Sequence, residues 1–326
     1  MKNEKNNIKA MILDLLENHT EGYLSGEYIG QELGVSRSAV WKHIKELKST
    51  GYTIQSVSNK GYRMVKQNSV YSRYEILKRV ENHINIIFLD EIDSTNEYAK
   101  RMAMEKSFEE TAIIALSQIK GKGRLGRRWE ASTGLGIWMS VLLKPRLSAA
   151  DMGLVTLACA CAVCETLKNK GFDAGIKWPN DILINDKKVC GILTETGFEE
   201  TRICYVILGI GLNVLHSSDD FSNEIREKST SLMIECGCRI CMSEIAANTL
   251  DRILKYYTLL CEGQKDQIIS SWKKYSVTLG RKIFTTVNGD KDLVTALDIR
   301  SDGALKVKRE DGSIDYIVSG EILFKA

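Results

Sequence analysis

Gln118-Ile119-Lys120-Gly121-Lys122-Gly123-Arg124-Leu125-Gly126-Arg127-Arg128-Trp129 packs three glycines and five cations into twelve residues. It follows an apolar run, Ala112 to Ser117, that reads as a strand. The segment formally contains Gly-x-Gly-x-x-Gly, which a dinucleotide-binding fold places where a strand gives way to a helix. Here Glu130 to Gly136 is rich in turn formers, so no helix opens at the glycines and that reading fails. No Gly-Lys-Ser or Gly-Lys-Thr follows, which removes a P-loop as well. What remains is a basic loop whose backbone N–H and guanidinium groups can close over an anionic ligand, with Trp129 available to stack on a base. A solvated surface loop is the plain alternative, although five neighbouring cations repel one another unless an anion joins them.

Outward from this loop, strands and helices alternate. Strands are expected at Asn85 to Leu89, Ala112 to Ser117, Ile137 to Leu143, Asp181 to Ile184, Val189 to Glu195 and Tyr205 to Leu212. Helices are expected at Ser94 to Met104, Ala149 to Lys168, Ser243 to Leu260 and Gln264 to Tyr275. The mixture reads as α+β. Beyond it, Arg281 to Val287, Leu293 to Ile299, Leu305 to Lys308 and Asp315 to Val318 are short strands separated by Asn288-Gly289-Asp290, Ser301-Asp302-Gly303 and Asp311-Gly312, the pattern of a small β-barrel.

On the N-terminal side, residues 66 to 83 read as a polar connector with one short helix around Tyr74 to Val80. Before the connector, Ile8, Met11, Ile12, Leu15 and Leu16 repeat at helical spacing up to about Asn18. Ser25 can cap a second helix ending at Leu33-Gly34, and Ser36 a third running to about Ser49, stopped by Gly51. Tyr52 to Val57 and Tyr62 to Val65 then form a hairpin around Ser58-Asn59-Lys60-Gly61. Three helices and a hairpin make a winged helix-turn-helix. In its third helix Arg37, Lys42, Lys45 and Lys48 outweigh Glu46, while Val40, Ile44 and Leu47 face inward. Ser36, Arg37, Ser38, Lys42 and Lys45, with Lys60 on the hairpin, are therefore candidate DNA contacts in a major groove and on its flanking phosphates. A solvated face of a protein-interaction module is the alternative.

Composition bounds the rest. The 326 residues are 44% apolar and 27% charged, with two prolines, which describes an ordinary globular protein of two or three domains. Lys plus Arg (45) exceeds Asp plus Glu (42) by only three, so any polyanion binding must be local. The longest nearly uncharged apolar stretch, Met152 to Cys164, is about 13 residues, short for a membrane span. The polar start, Met1 to Lys9, is unlike a secretory signal, so a cytoplasmic protein without membrane contact is expected. Nine cysteines are then expected as thiols. Cys159-x-Cys161-x-x-Cys164 and Cys236-x-Cys238-x-x-Cys241 suggest zinc, but the first set lies in an apolar helical run and no histidine is near either, so no metal site is assigned.

Three further clusters carry polar chemistry. Lys177-Trp178-Pro179-Asn180-Asp181, with Lys188 and Gly191-Ile192-Leu193, forms a hairpin around Asn185-Asp186 that can present carboxylate, amide and ammonium groups to one cleft. Asp93-Ser94-Thr95-Asn96-Glu97 reads as a capping box, Ser94 with Glu97, although its hydroxyls can equally hold a polar ring. Gly209-Ile210-Gly211-Leu212-Asn213 suits close backbone approach by a ligand, and tight sheet packing would explain its glycines as well.

Taken in order, these motifs resemble the biotin protein ligases over almost the whole chain, and the N-terminal module resembles their bifunctional BirA type, ligase and biotin-operon repressor together. The resemblance implies an N-terminal winged helix-turn-helix (1–66), a linker (67–83), a ligase core of the biotin/lipoate type (84–277) and an SH3-like barrel (278–326). It implies biotin and ATP as substrates, Mg2+, a biotin carboxyl carrier protein as acceptor, operator DNA and a ligand-promoted homodimer. Carried onto this chain, the family's roles place biotin against Ser94, Thr95, Asn96, Gln118, Lys122, Gly123 and Gly191. The nucleotide falls to Arg124, Arg127, Trp129, Lys177, Asn180 and Asn213. Lys188, Arg124 and Asp181 become catalytic, with Lys188 and Arg124 also touching biotin. The chain carries Lys122 where the family more often has Arg, which keeps the charge and loses the planar fork.

Overall fold

The computed structural model describes every residue except 1, 20–21, 66–69, 106, 145, 201, 288–289 and 326, and the side chains of 2–7, 150, 286–287 and 290–291 are also left aside. The chain divides into two compact units, Met1–Glu75 and Ile76–Ala326.

The first unit holds α1 (Lys2–Asn18), α2 (Gly26–Leu33), α3 (Arg37–Ser49), β1 (Ile54–Val57) and β2 (Gly61–Met64); α4 (Arg73–Leu77) lies across the division. Both expected serine caps form: Ser25 accepts from the Tyr28 N–H and Ser36 from the Ala39 N–H. Gly34 closes α2 in the left-handed conformation. Ile12, Leu13, Leu16, Ile29, Val40, Ile44 and Leu47 form the core under the hairpin. The buried face of α1 is turned from the expected one: Leu13 is inside and Met11 is exposed, because the core sits under 12, 13 and 16. Gly61 is required where it is, since a Cβ there would lie 2.0 Å from the Leu24 carbonyl that pairs with Tyr62.

The second unit is built on a seven-stranded sheet. In chain order its elements are β3 (Asn85–Ile92), α5 (Thr95–Ala103), β4 (Thr111–Gln118), β5 (Gly136–Leu143), α6 (Met152–Asn169), β6 (Ala174–Lys177), β7 (Asp181–Ile184), β8 (Lys187–Glu199), β9 (Arg202–Asn213), α7 (Leu232–Cys236), α8 (Met242–Cys261) and α9 (Lys265–Tyr275). The strand order is β3-β4-β5-β9-β8-β7-β6, parallel only between β3 and β4. Central β5 is buried throughout, as its unbroken apolar sequence requires. α6, with α8 and α9 packed against it, covers one face, where Thr156 bonds to Thr194 at 2.8 Å. α5 lies on the other face, under which Gly209 and Gly211 of β9 and Gly191 of β8 turn.

α6 runs 18 residues, starting three residues later than the helix expected at Ala149 to Lys168 and extending past the 13-residue apolar stretch, and by length and composition alone it would pass as a membrane span. Twelve of those residues, including Cys159, Cys161 and Cys164, are buried in the core, where the thiols act as small apolar groups.

The chain closes with β10 (Lys282–Val287), β11 (Asp290–Ile299), β12 (Leu305–Arg309), β13 (Ile314–Ile317) and β14 (Ile322–Phe324), an antiparallel sheet in the order β13-β12-β11-β10-β14. The expected Asn288-Gly289 turn lies outside the described residues. β6, β14 and α7 were not expected: each is only three to five residues long, too short to show a period. The C-terminal sheet is joined to the core through Trp178, whose Nε1–H donates to the Gly303 carbonyl at 3.2 Å and whose backbone N–H donates to Thr278 Oγ1 at 2.9 Å.

Candidate active site

A cavity of about 860 Å³ opens on the glycine face of the sheet, and every residue assigned above to biotin, nucleotide or catalysis lines it. The sheet explains why. Thr95 and Asn96 at the start of α5, Gln118 at the end of β4, and the β7–β8 hairpin all meet beside β9.

At one end the floor is a closed hydrogen-bond network. The Thr95 N–H donates to Gln118 Oε1 at 2.8 Å and its hydroxyl to the same oxygen at 3.0 Å. Ser140 Oγ lies 2.7 Å from Thr95 Oγ1 and 2.5 Å from Asn96 Oδ1, and Asn96 Nδ2–H donates to Glu195 at 2.7 Å. All of Ser94, Thr95, Asn96 and Ser140 are buried, so these polar groups are desolvated and fixed. Gly209 is forced by Asn96, whose Oδ1 would lie 2.3 Å from an added Cβ.

The capping box does not form. Ser94 makes no side-chain cap bond, and Glu97 is drawn instead to Lys122 at 2.6 Å and Lys100 at 3.0 Å. These two lysines hold the Glu97 carboxyl below the usual glutamate range. Glu97 thereby ties the basic loop to α5. Asp93 serves a different partner: Arg101, bonded through both guanidinium arms, lowers its carboxyl to about 2.

In the middle, Lys188 Nζ pairs with Asp181 at 2.7 Å and stands 5.2 Å from the Trp129 ring centroid. The indole of Trp129 lies on Gly191 and Gly211, which face each other across β8 and β9; a Cβ would meet the ring at 2.8 Å from Gly191 and 2.5 Å from Gly211. Its Nε1 is buried and, among the described residues, has no hydrogen-bond partner. Arg124 donates to Asn180 Oδ1 at 2.9 Å, and Asn180 is itself fixed by the Ile192 carbonyl at 2.9 Å. Arg127 reaches Glu321 at 2.7 Å, and Lys177 stands over Phe324, so the C-terminal sheet supplies one wall. Burial pulls the Lys177 ammonium below the usual lysine range, against the attraction of Asp181.

Asn213 lines the cavity, and its amide is anchored by one N–H donated to the Thr230 carbonyl at 3.1 Å. His216 was not anticipated from sequence. It is buried, stacked on Phe221 at 5.0 Å and edge-on to Trp138, and burial lowers its imidazole to about 4. A single histidine three residues past a strand gives no sequence signal, and Glu321 is equally remote from every motif.

In the first unit Ser36, Arg37, Ser38, Lys42, Lys45 and Lys60 are all exposed. Ser36 Oγ is already engaged as the α3 cap and with Ser38 at 2.9 Å. Trp41, exposed beside Lys45, adds an aromatic that charge counting passes over.

Comparison with known proteins identifies the family. The model of the biotin/lipoate A/B protein ligase family matches residues 88–213, and an HTH domain model matches residues 9–63. A bifunctional ligase/repressor BirA from Bacillus spizizenii is 34% identical over 322 residues, covering 98% of this chain and 99% of that relative. The one from Escherichia coli is 28% identical over 325 residues, covering 98% of both. The structure of a biotin protein ligase from Aquifex aeolicus in complex with biotin and ATP matches with a TM-score of 0.64 at 28% identity, covering 74% of this chain and 98% of that one. Fold, cavity and end-to-end likeness together place the chain in the biotin protein ligase family, among its bifunctional ligase/repressors.

Proposed function

We propose that this chain activates biotin with ATP to biotinyl-5'-AMP, transfers the biotinyl group to a lysine of a biotin carboxyl carrier protein, and represses biotin genes through its helix-turn-helix unit. The observation that carries this reading is the convergence of the basic loop, the Lys177–Lys188 hairpin and the Ser94–Asn96 cluster on one cavity.

In the first step a biotin carboxylate oxygen bonds to the α-phosphorus while the bond to the bridging oxygen of pyrophosphate breaks. Lys188, oriented by Asp181, supplies a fixed cation for the charge on the carboxylate and phosphoryl oxygens. Arg124, oriented by Asn180, and Arg127 and Lys177 face the phosphates. The buried network of Thr95, Asn96, Gln118 and Ser140 suits the neutral, polar ureido ring, with Ser94, Lys122, Gly123 and Gly191 around it. In the second step the carrier amine bonds to the anhydride carbonyl carbon, AMP departs and the amine loses a proton. Magnesium fits as an ion carried by the nucleotide: among the described residues no group of three or more His, Cys, Asp or Glu could hold it, and Asp181 is one of several separate carboxylates that line the cavity.

The division into a DNA-binding domain (1–66), linker (67–83), catalytic domain (84–277) and SH3-like barrel (278–326) follows from the same reading, as do a ligand-promoted homodimer and a cytoplasmic site of action. ATP–pyrophosphate exchange with biotin, lipoate or no acid tests the activity. Exchange with biotin alone is expected. Exchange with lipoate would make the chain a lipoyl-type ligase, and no exchange in protein that still binds biotin would make it a sensor without chemistry.

A further inference from the structure

Cys236 and Cys238 stand apart from the other cysteines. Four of the nine are buried in the core, whereas these two are exposed at the end of α7, separated only by Gly237. Their sulfurs are 3.0 Å apart, and the Cys238 backbone N–H donates to Cys236 Sγ at 3.2 Å. Gly237 sits at φ 65°, and an added Cβ would meet nothing within 4 Å, so the left-handed turn rather than lack of space calls for glycine. That turn folds one thiol back on the other.

α7 is also tied to the cavity. Glu235, next to Cys236, accepts from Thr230 Oγ1 at 2.5 Å and from Asn185 at 2.7 Å. Thr230 in turn donates its N–H to the Lys188 carbonyl at 2.9 Å and accepts from Asn213 at 3.1 Å. Ser231, the α7 cap, donates to the His216 carbonyl at 2.6 Å.

We propose that Cys236 and Cys238 form a reversible dithiol–disulfide site for low-molecular-weight disulfides, and that its state is felt through α7 at the nucleotide end of the cavity. One thiolate attacks a sulfur of the small disulfide, giving a mixed disulfide and expelling one small thiol. The second cysteine then attacks the protein sulfur of that mixed disulfide and expels the other. Two protein thiols are oxidised, one small disulfide is reduced to two thiols, and the two protons leave with them. The closed loop spans three residues, so the bond adds little stability, and its exposure keeps it open to reduction. The coupling to the cavity rests on the ligase reading above; the chemistry at the thiols does not.

Full-length protein is incubated with oxidised glutathione and followed by intact mass and peptide mapping. The expected product has lost two hydrogens and maps to Cys236–Cys238. Cys236→Ser and Cys238→Ser should stop at a glutathione adduct, while Cys241→Ser should behave as the parent. Adducts without a crosslink in the parent, or a crosslink through Cys241, would overturn the site. ATP–pyrophosphate exchange is then compared for oxidised and reduced protein. The KM for ATP should change about threefold or more on oxidation and return with a dithiol reductant, with no such change in Cys236→Ser. An unchanged KM in crosslinked protein would remove the coupling. Failure of exchange in the reduced parent would count against the ligase reading and leave the thiol result standing.

Discussion

Lys188 has a defined address, with the Asp181 carboxylate at 2.7 Å and the Trp129 ring below it. A cation fixed in that way requires little rearrangement when charge develops on a phosphoryl oxygen. Lys188→Ala should reduce biotin-dependent pyrophosphate exchange by about 10²-fold or more without changing the thermal midpoint, since the side chain is one-third exposed and packs no core. His216 behaves in the opposite sense, as a group whose main energetic effect is on folding. Its imidazole titrates near 4 in the folded chain and near 6.5 when unfolded, because burial disfavours the charged form. The unfolded chain therefore takes up the proton first. The stability is fully present above pH 6.5 and is lost as pH falls toward 4, by about 3 kcal/mol over that window. Urea midpoints at pH 7 and 4.5 should diverge in the parent and much less in His216→Phe, which keeps the stack on Phe221.

At the scale of elements, the basic loop, α5 and the β8–β9 pair act as one assembly. Glu97 links the first two by taking Lys122 and Lys100 together. Glu97→Gln removes the charge and leaves the shape, so the loop should open more readily over the biotin end. Stopped-flow displacement should show biotin leaving about three- to tenfold faster, as expected for loss of an interaction of about 1 kcal/mol. The same residue shows where sequence is legible and where it is not. Ser94-x-x-Glu97 carries a local capping signal, and it is overruled by a cation 25 residues away that no local pattern reveals. Ser25 and Ser36 cap as expected because, among the described residues, nothing distant competes for their hydroxyls. Gly209 and Gly211 of β9 were legible as points of close approach, but what approaches them, Asn96 and Trp129, depended on strand order and register.

Across the molecule, two compact units carry two different chemistries, and the cations suited to DNA lie on the exposed face of α3 and on the hairpin at Lys60. Arg37→Ala in the full chain should weaken operator binding by about tenfold and flatten its salt dependence, while biotin transfer to a carrier domain stays at the parent rate. Loss of both in filter-binding and transfer assays would show that the two activities cannot be separated at this residue. The order of helices, hairpin and sheet elements could be read from periodicity and turns. The wall supplied by Glu321, Ile322 and Leu323 could not, because it depends on how the C-terminal sheet is seated through Trp178. Five tryptophans are distributed over this plan, three of them buried at positions 138, 178 and 272. Trp129, resting on paired glycines inside the cavity, and Trp41, exposed on α3, are placed to meet a ligand directly. The protein therefore has two built-in optical reporters. Emission from Trp129 responds to whatever fills the cavity and emission from Trp41 to whatever meets α3, so a Trp41→Phe chain lets small-molecule occupancy be followed by fluorescence while DNA is present.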